Sequence, residues 1–363
     1  MRSNLEGIIK RPKLKLFTLI FLGLFGLEGN AVLQSTIDEK WDKTLWSFME
    51  KNGVKGHFLG EASKKIHHFT LYGNQFKKTK EKKTGPKGAL VFLSGQGEPY
   101  IKYYEVFYDF FKMGYSPIYT FDHRGQGYSE RFLKDPKKGY VDSFSNYVKD
   151  FDTFMKTVVL KDENKSLFLL THSTGGRVTL LYLMEDQKRH AHFKKAAFGS
   201  PLIQMETAPF PYAVGKWIIQ TLCKSKTICS QYYPGWSKFN AYLEFEGNLL
   251  TSNKERWSYS HRTARRVGDV WFNGFTIKWA SEIFKSRDLF LKYKDKVKTP
   301  LLILQASNDA LVRGDAHEDF CQNQAAACRL IKMKNSKHEI FNEKDSIRDK
   351  AIKHVDDFFQ STP

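Results

Sequence analysis

Ser166-Leu-Phe-Leu-Leu-Thr-His-Ser-Thr-Gly-Gly-Arg-Val-Thr-Leu-Leu-Tyr-Leu-Met-Glu185 is the stretch that decides the fold. It begins with a short apolar run, the pattern of a buried strand. Ser173 follows at once, then Gly175 and Gly176, and residues 177–185 read as a helix. A strand passing through x-Ser-x-Gly-Gly directly into a helix is a nucleophile elbow, whose sharp turn lifts the serine clear of the sheet. At a helix N-terminus, unpaired N–H groups and the helix dipole favour developing negative charge. A serine capping an ordinary helix gives the same local pattern, so the reading needs partners elsewhere in the chain.

The flanking sequence supplies a context. Ala89–Leu93 is a second buried strand, opening into Ser94-Gly-Gln-Gly97. Residues 100–113 carry Tyr103, Val106, Phe107, Phe110 and Phe111 on one helical face, and Gly114 stops them. Pro117–Phe121 reads as a strand entering the glycine-rich turn Asp122–Ser129, residues 147–160 as a helix, and Lys195–Phe198 as a strand ending at Gly199. Ile66–Tyr72 alternates like a strand and residues 41–49 like a short amphipathic helix. Strand and helix in alternation predict a mostly parallel sheet with helices on both faces, an α/β fold.

From about residue 206 to 294 the alternation stops, and the chain is aromatic, irregular and helix-leaning. Strands resume at Pro300–Leu304 and Arg329–Met333, and a helix over 344–359 closes the chain. The expected organisation is a segment at 1–31, a core over 32–205, an inserted, mainly helical cap over 206–294, and the rest of the core over 295–363.

Two further residues complete the chemistry. Asp309 lies just beyond the strand at 301–304, and His338 lies after the next strand, ahead of the last helix. Serine, acid and histidine thus occur in the chain order that an elbow nucleophile requires. Ser173 would attack an acyl carbonyl, His338 would take its proton, and Asp309 would hold the imidazole tautomer. The N–H groups of Thr174 and Gln96 are the expected donors to the oxyanion. His123 and His172 sit inside glycine-rich turns, where structural hydrogen bonding is expected, and Asp122 is expected to brace its own turn. His67 and His68 are expected to point to opposite sides of their strand. The chemistry calls for no metal or organic cofactor.

Arg2, Lys10, Arg11, Lys13 and Lys15 precede an uncharged apolar run, Leu16–Leu27. A membrane span takes about 20 apolar residues, so this pattern fits a secretory signal over 1–31 and an exported protein. Cleavage after Ala31 and retention as an anchor are both open. In an oxidising compartment Cys223, Cys229, Cys321 and Cys328 are disulfide candidates. Four cysteines allow three connectivities, of which pairing within each close cluster is the natural one.

The 363-residue chain carries a formal charge of +19, which attracts anionic surfaces. The densest lysine run, Lys77–Lys83, lacks the interleaved aromatic residues that stack nucleic-acid bases, and reads as a solvated hairpin loop. Export and positive charge together point to an anionic membrane surface and not to nucleic acid. Oligomeric state has no signature here.

The blocks Ser94-Gly-Gln-Gly-Glu-Pro-Tyr100, Asp122-His-Arg-Gly-Gln-Gly-Tyr-Ser129, Thr171-His-Ser-Thr-Gly-Gly176, Ser307-Asn-Asp309 and His338-Glu-Ile-Phe-Asn-Glu-Lys344 resemble the monoacylglycerol-lipase and bacterial lysophospholipase branch of the α/β-hydrolases. The resemblance covers residues 65–205 and 295–363. It implies the α/β-hydrolase fold, hydrolysis of a single-chain lipid ester, and a cap that supplies an acyl pocket. Three positions depart from the pattern: Thr171 stands where glycine is usual, Thr174 where methionine is frequent, and Ser94 where histidine is common. Trp271 and Trp279 are candidates to line the acyl pocket, although aromatic residues of a cap also serve simply as packing. A small-ester carboxylesterase, an aminopeptidase and a non-catalytic binding protein remain alternatives on the same scaffold.

Overall fold

The computed structural model describes residues 38–73, 85–162, 166–234, 245–271, 274–293 and 297–362. The basic and apolar segment at 1–31 and the lysine run at 77–83 lie outside the described residues. Among the described residues no helix is long and apolar enough to cross a membrane.

Helix α1 (Glu39–Asn52) leads into β1 (Gly53–Leu59) and β2 (Lys65–Leu71). There follow β3 (Gly88–Leu93), α2 (Tyr104–Lys112), β4 (Tyr115–Phe121) and the two-residue β5 (Lys138–Gly139). Next come α3 (Phe144–Phe154), β6 (Leu167–His172), α4 (Thr174–Glu185) and β7 (Lys195–Gly199). The main sheet, eight-stranded among the described residues, runs β1-β2-β4-β3-β6-β7-β9-β10, with β9 at Leu301–Ala306 and β10 at Cys328–Met333. Only β1 and β2 pair antiparallel, with each other and with β4; the other pairings are parallel.

Period-two alternation explains how the sheet is covered. Ala89, Val91, Leu93, Leu167, Leu169, Leu301 and Ile303 point into one core with α3 and α4. Leu90, Phe92, Phe168, Leu170, Leu302 and Leu304 point into the other, with α1, α2 and the closing helix α10 (Asp345–Gln360). A strand buried on both faces must be apolar at every position, which is why these strands read as continuous runs.

The sequence reading missed β1. Gly-Val-Lys-Gly-His-Phe-Leu is an edge strand, largely open to solvent, so it needs no apolar run to form. The helix expected at 147–160 is α3 from Phe144, continued by a wider π-type turn over Met155–Val159. His67 and His68 are both half-buried, because β1 covers one side of β2 without closing it.

Between β7 and β9 the chain leaves the main sheet. It forms α5 (Tyr212–Leu222), α6 (Lys226–Cys229), α7 (Lys254–Val267), the short β8 (Gly274–Phe275) that pairs with β5, and α8 (Ile277–Lys292). Buried charge ties this region down. Arg256 of α7 forks onto the carboxylate of Glu105 in α2, at 2.8 and 2.9 Å. Arg177 of α4 donates to the carbonyls of Leu202 and Ile283 and to Ser286 of α8. Cys223 is bonded to Cys229, joining the end of α5 to α6. Cys321 of α9 (Gly314–Asn323) is bonded to Cys328, where β10 begins.

Candidate active site

Strand β3 pairs with β4 on one side and with β6 on the other, so the strand order reverses there. A crevice opens outside the carboxyl ends of strands at such a switch point. The loop after β3 carries Gln96, the turn after β6 carries Ser173, and the loops after β9 and β10 carry Asp309 and His338.

Ser173 has φ 49° and ψ −115°, a conformation that a residue bearing a Cβ adopts only when its surroundings force it. Here its N–H donates to Gly199 at 3.0 Å and its carbonyl accepts from Leu202 at 2.9 Å, so the end of β7 clamps the turn. Gly175 lets the turn close: a Cβ there would lie 2.5 Å from the Leu93 carbonyl oxygen. Thr171 falls inside β6, opposite Leu93 and Phe198, and takes no part in the tight turn.

Ser173 Oγ lies 3.0 Å from His338 Nε2, and His338 Nδ1 lies 2.8 Å from Asp309 Oδ2. Asp309 Oδ1 accepts from the backbone N–H groups of Leu311 and Val312 at 2.9 and 3.0 Å. Burial raises the Asp309 carboxyl, but the nearby His338 and these hydrogen bonds outweigh it and hold the group below its ordinary value. An ionised Asp309 fixes the proton on Nδ1 and leaves Nε2 free to accept from the serine. This arrangement is able to take a proton from Ser173 and return it to a leaving group.

Gln96 and Thr174 both line the cavity in front of Ser173, and neither backbone N–H is bonded to another group among the described residues. The loop that carries Gln96 is held from several sides. Gln126 accepts from the N–H of Gly97 at 3.0 Å and donates to the Gly95 carbonyl at 2.9 Å. His123 Nε2 donates to the Ser94 carbonyl at 3.0 Å. Burial pushes His123 down to about 4, so its ring is neutral and fit for that role. Asp122 accepts from the N–H of Tyr100 at 2.7 Å and of Tyr128 at 2.8 Å, bracing the neighbouring loop as well as its own turn. Burial pushes its carboxyl up to about 7 despite those two amides.

Sequence reasoning missed the group that joins these parts. Glu98 Oε2 accepts from the N–H of Gly95 at 2.6 Å, from the Tyr103 hydroxyl at 2.8 Å and from His172 Nδ1 at 2.8 Å. Its other oxygen faces Lys102 Nζ at 3.3 Å, and Lys102 also pairs with Glu339. The second ring nitrogen of His172 faces the His338 carbonyl at 3.2 Å. An acceptor stands before each nitrogen of His172, and the group is raised above its ordinary value: burial lowers it, but Glu98 more than reverses the effect. Burial likewise raises Glu98, and His172 and Lys102 carry it well below its usual range. Glu98, Glu339, Lys102 and His172 therefore form a buried, hydrogen-bonded cluster that touches the Gln96 loop, the elbow and the His338 loop.

The cavity has a volume of about 390 Å³. Glu98, Lys102 and Glu339 form a polar part of its wall; Met205, Phe275, Trp279, Leu311 and Val312 are apolar. Trp279 is buried against Phe275, with ring centroids 4.7 Å apart, and Trp271, partly exposed, also lines the cavity. Among the described residues no group of three His, Cys, Asp or Glu side chains is arranged to hold a metal ion.

Comparison with known proteins adds three findings. The family described as serine aminopeptidase, S33, matches residues 84–345. Lysophospholipase L2 of Escherichia coli (strain K12) is 30% identical over 277 residues, covering 74% of this chain and 79% of that protein, and the probable lysophospholipase L2 of Haemophilus influenzae is 30% identical over 271 residues, covering 74% and 82%. Among solved structures, a soluble variant of monoglyceride lipase from Saccharomyces cerevisiae in complex with a substrate analog superposes with a TM-score of 0.63 at 17% identity, covering 85% of this chain and 95% of that one.

Proposed function

Because the chain belongs to the serine aminopeptidase S33 family of α/β-hydrolases, in its lysophospholipase and monoacylglycerol-lipase branch, and is a serine ester hydrolase, we propose that it cleaves single-chain lipid esters through Ser173, His338 and Asp309. The carrying observation is the hydrogen-bonded line from Ser173 Oγ through His338 to Asp309, at 3.0 and 2.8 Å, opening on a largely apolar cavity.

The reaction follows from that geometry. Ser173 Oγ bonds to the ester carbonyl carbon while its proton passes to His338 Nε2. The N–H groups of Gln96 and Thr174 hold the negative oxygen of the tetrahedral intermediate. The ester C–O bond then breaks, and His338 gives its proton to the departing alcohol, a glycerol or glycerophosphate unit. Water, deprotonated by His338, attacks the acyl-serine, releasing fatty acid and restoring the serine. No step calls on a metal or an organic cofactor.

Residues 206–294 act in this reading as a cap, and Trp271, Trp279, Phe275 and Met205 as the walls against which the acyl chain rests. The two short-range disulfides support residence in an oxidising compartment, and hence export with residues 1–31 as the signal. The charge of +19 supports work at an anionic membrane surface. An aminopeptidase would need free carboxylates for a substrate ammonium. Of the carboxylates on the cavity wall, Glu98 and Glu339 are paired with Lys102, and Glu98 with His172 as well, while Glu206 accepts through Oε1 from the N–H groups of Thr207 and Ala208, so Glu206 is the carboxylate on which an aminopeptidase reading would rest.

The test is fatty-acid release from lysophosphatidylcholine and monoacylglycerol by the wild-type protein and by Ser173→Ala. Release by the wild type that vanishes in the variant supports the reading, and the ratio of the two substrates gives the headgroup class. A folded wild type that releases no fatty acid from either one refutes it.

A further inference from the structure

One helix of the cap region carries an apolar face that none of the described residues covers. Helix α5 packs Gly215 against Thr207, and Thr207 lines the catalytic cavity. The opposite side of the same helix meets solvent. Val214 is 41% exposed, Trp217 66%, and Phe210, just before the helix, 51%. Val214, Trp217 and Thr221 follow helical spacing and form one stripe, and Lys224 follows in the turn just beyond Leu222, so the surface changes from apolar to cationic past the helix end. Ile228 of α6 adds a further exposed apolar side chain, at 43%. Single exposed apolar residues are ordinary on a protein surface, but a group of them that includes tryptophan and phenylalanine is not.

Beside this ridge lies a second cavity, of about 660 Å³. Lys224 and Lys226 line it from the α5–α6 corner, and Lys278 and Lys285 from α8. Glu282 binds both Lys278 and Lys285, at 2.7 and 2.8 Å. Four cations against one carboxylate leave a surplus of three positive charges. Among the described residues lining the cavity there is no Asp or Glu. Gln220 of α5 and Lys224, in the turn just beyond its end, both line the cavity, so the ridge runs directly into the cationic hollow.

We propose that this corner is a docking surface for a bilayer containing anionic phospholipid: Phe210, Val214, Trp217 and Ile228 enter the interface, and a phosphate-bearing headgroup sits among Lys224, Lys226, Lys278 and Lys285. Aromatic residues seated at headgroup level beside lysines, over an apolar face, are the features that hold an interfacial helix in place. The charge complements an anionic surface, and the apolar ridge distinguishes that partner from free phosphate or a soluble polyanion. The inference rests on the lipid-ester reading of the catalytic site, and places the wall of that site directly behind the docking helix.

The test compares the exported protein with Lys224→Gln/Lys226→Gln, with Phe210→Ser/Trp217→Ser, and with Lys40→Gln/Lys43→Gln on α1 as a charge-matched control. Sedimentation measures partitioning onto vesicles of phosphatidylcholine, alone or with phosphatidylglycerol, and hydrolysis of a monomeric short-chain ester reports that each variant is folded. A lysine close to an anionic membrane contributes about fivefold in partitioning, so the Lys224/Lys226 variant is expected to lose about thirtyfold on anionic vesicles and little on neutral ones. The Phe210/Trp217 variant is expected to weaken on both, and the α1 control on neither. Equal partitioning of all four proteins overturns the proposal, as does failure of the wild type to bind anionic vesicles. A wild type that is dimeric in solution, made monomeric by Phe210→Ser/Trp217→Ser, also overturns it by assigning the ridge to a second copy. Absence of fatty-acid release from lysolipid with vesicle binding intact would instead refute the substrate reading and leave the docking surface standing.

Discussion

Replacing Glu98 by Gln tests whether one buried carboxylate holds the active site together. The side chain keeps its size, but its charge and one of its acceptor oxygens are lost. If the amide oxygen stays on Gly95, Tyr103 and His172, the new NH₂ group is turned toward Lys102 Nζ, which in the wild type lies 3.3 Å from a carboxylate oxygen. The reverse orientation places NH₂ against three donors. Removing one partner of a buried, hydrogen-bonded ion pair costs about 3–5 kcal/mol. At about 2 °C per kcal/mol for a chain of this size, the thermal midpoint should fall by roughly 6–10 °C.

Activity should suffer separately, because Glu98 holds the Gly95 amide and hence the loop that carries Gln96. Loss of one oxyanion donor costs about 100-fold or more in kcat, and KM should move little. The pH dependence identifies the cause. Glu98 is depressed when folded, so its contribution is present above its unfolded value, near 4.5, and is lost as pH falls through the lower folded value. His172 is raised when folded, so its contribution is complete below its unfolded value, near 6.5, and is lost as pH rises through the higher folded one. The stability gap between wild type and Glu98→Gln should therefore be widest between about pH 4.5 and 6.5. Thermal melts across pH and steady-state fatty-acid release at the variant's stable temperature measure both effects. A variant within 2 °C of wild type with kcat within about twofold would refute the assignment of Glu98 as the positioning hub.

Other substitutions probe the remaining parts. Asp309→Asn should lower kcat by about 10⁴-fold in the fatty-acid release assay, because the amide no longer fixes the His338 tautomer. In the wild type the contribution of Asp309 to stability, present above its unfolded value near 3.8, should be lost as pH falls through its depressed folded value, and acid titration of the thermal midpoint reads this. Ser173→Gly should abolish turnover yet raise the thermal midpoint by about 2 °C, since glycine relieves a φ of 49° at a net gain of about 1 kcal/mol. Cys321→Ser/Cys328→Ser opens a loop of sequence separation 7, worth about 2.4 kcal/mol by chain entropy, and should lower the midpoint by roughly 5 °C with the catalytic rate unchanged.

What the sequence revealed, and what it hid, follows from the range of each interaction. Ser173 sits immediately after an apolar strand and Asp309 and His338 lie in the loops that follow later strands, so their positions are encoded locally even though they meet across the fold. Glu98 and its partners have no such signature: it meets His172 across 74 residues, and Lys102 meets Glu339 across 237. Only the acidic residue in the loop Ser94-Gly-Gln-Gly-Glu98 and the Glu beside His338 hinted at them. β1 was illegible because an edge strand leaves half its surface in water and need not be apolar. In the region between β7 and β9 the aromatic residues were visible but their duties were not. Trp279 is buried and faces the catalytic cavity, whereas Trp217, of the same type and a nearby region, is turned out to solvent.

Two of the three departures from the family pattern, Thr171 and Ser94, have a common physical explanation. Thr171 replaces a glycine but lies within β6, where a β-branched residue packs well on the pleated surface; among the elbow residues Thr171–Gly176 the positive φ belongs to Ser173. Ser94 replaces a histidine, and its hydroxyl donates to the Glu98 carbonyl at 2.6 Å, closing the loop on itself. The histidine that supports this loop is His123, which reaches the Ser94 carbonyl from the turn after β4. Both changes fall on groups that shape the backbone around the reacting atoms, and neither replaces an atom that would meet the substrate. The oxyanion loop is fastened by Glu98, Gln126, His123 and Ser94 together, so its geometry is over-determined. A site fastened at that many points can exchange one support for another while the line from Ser173 to Asp309 keeps its lengths.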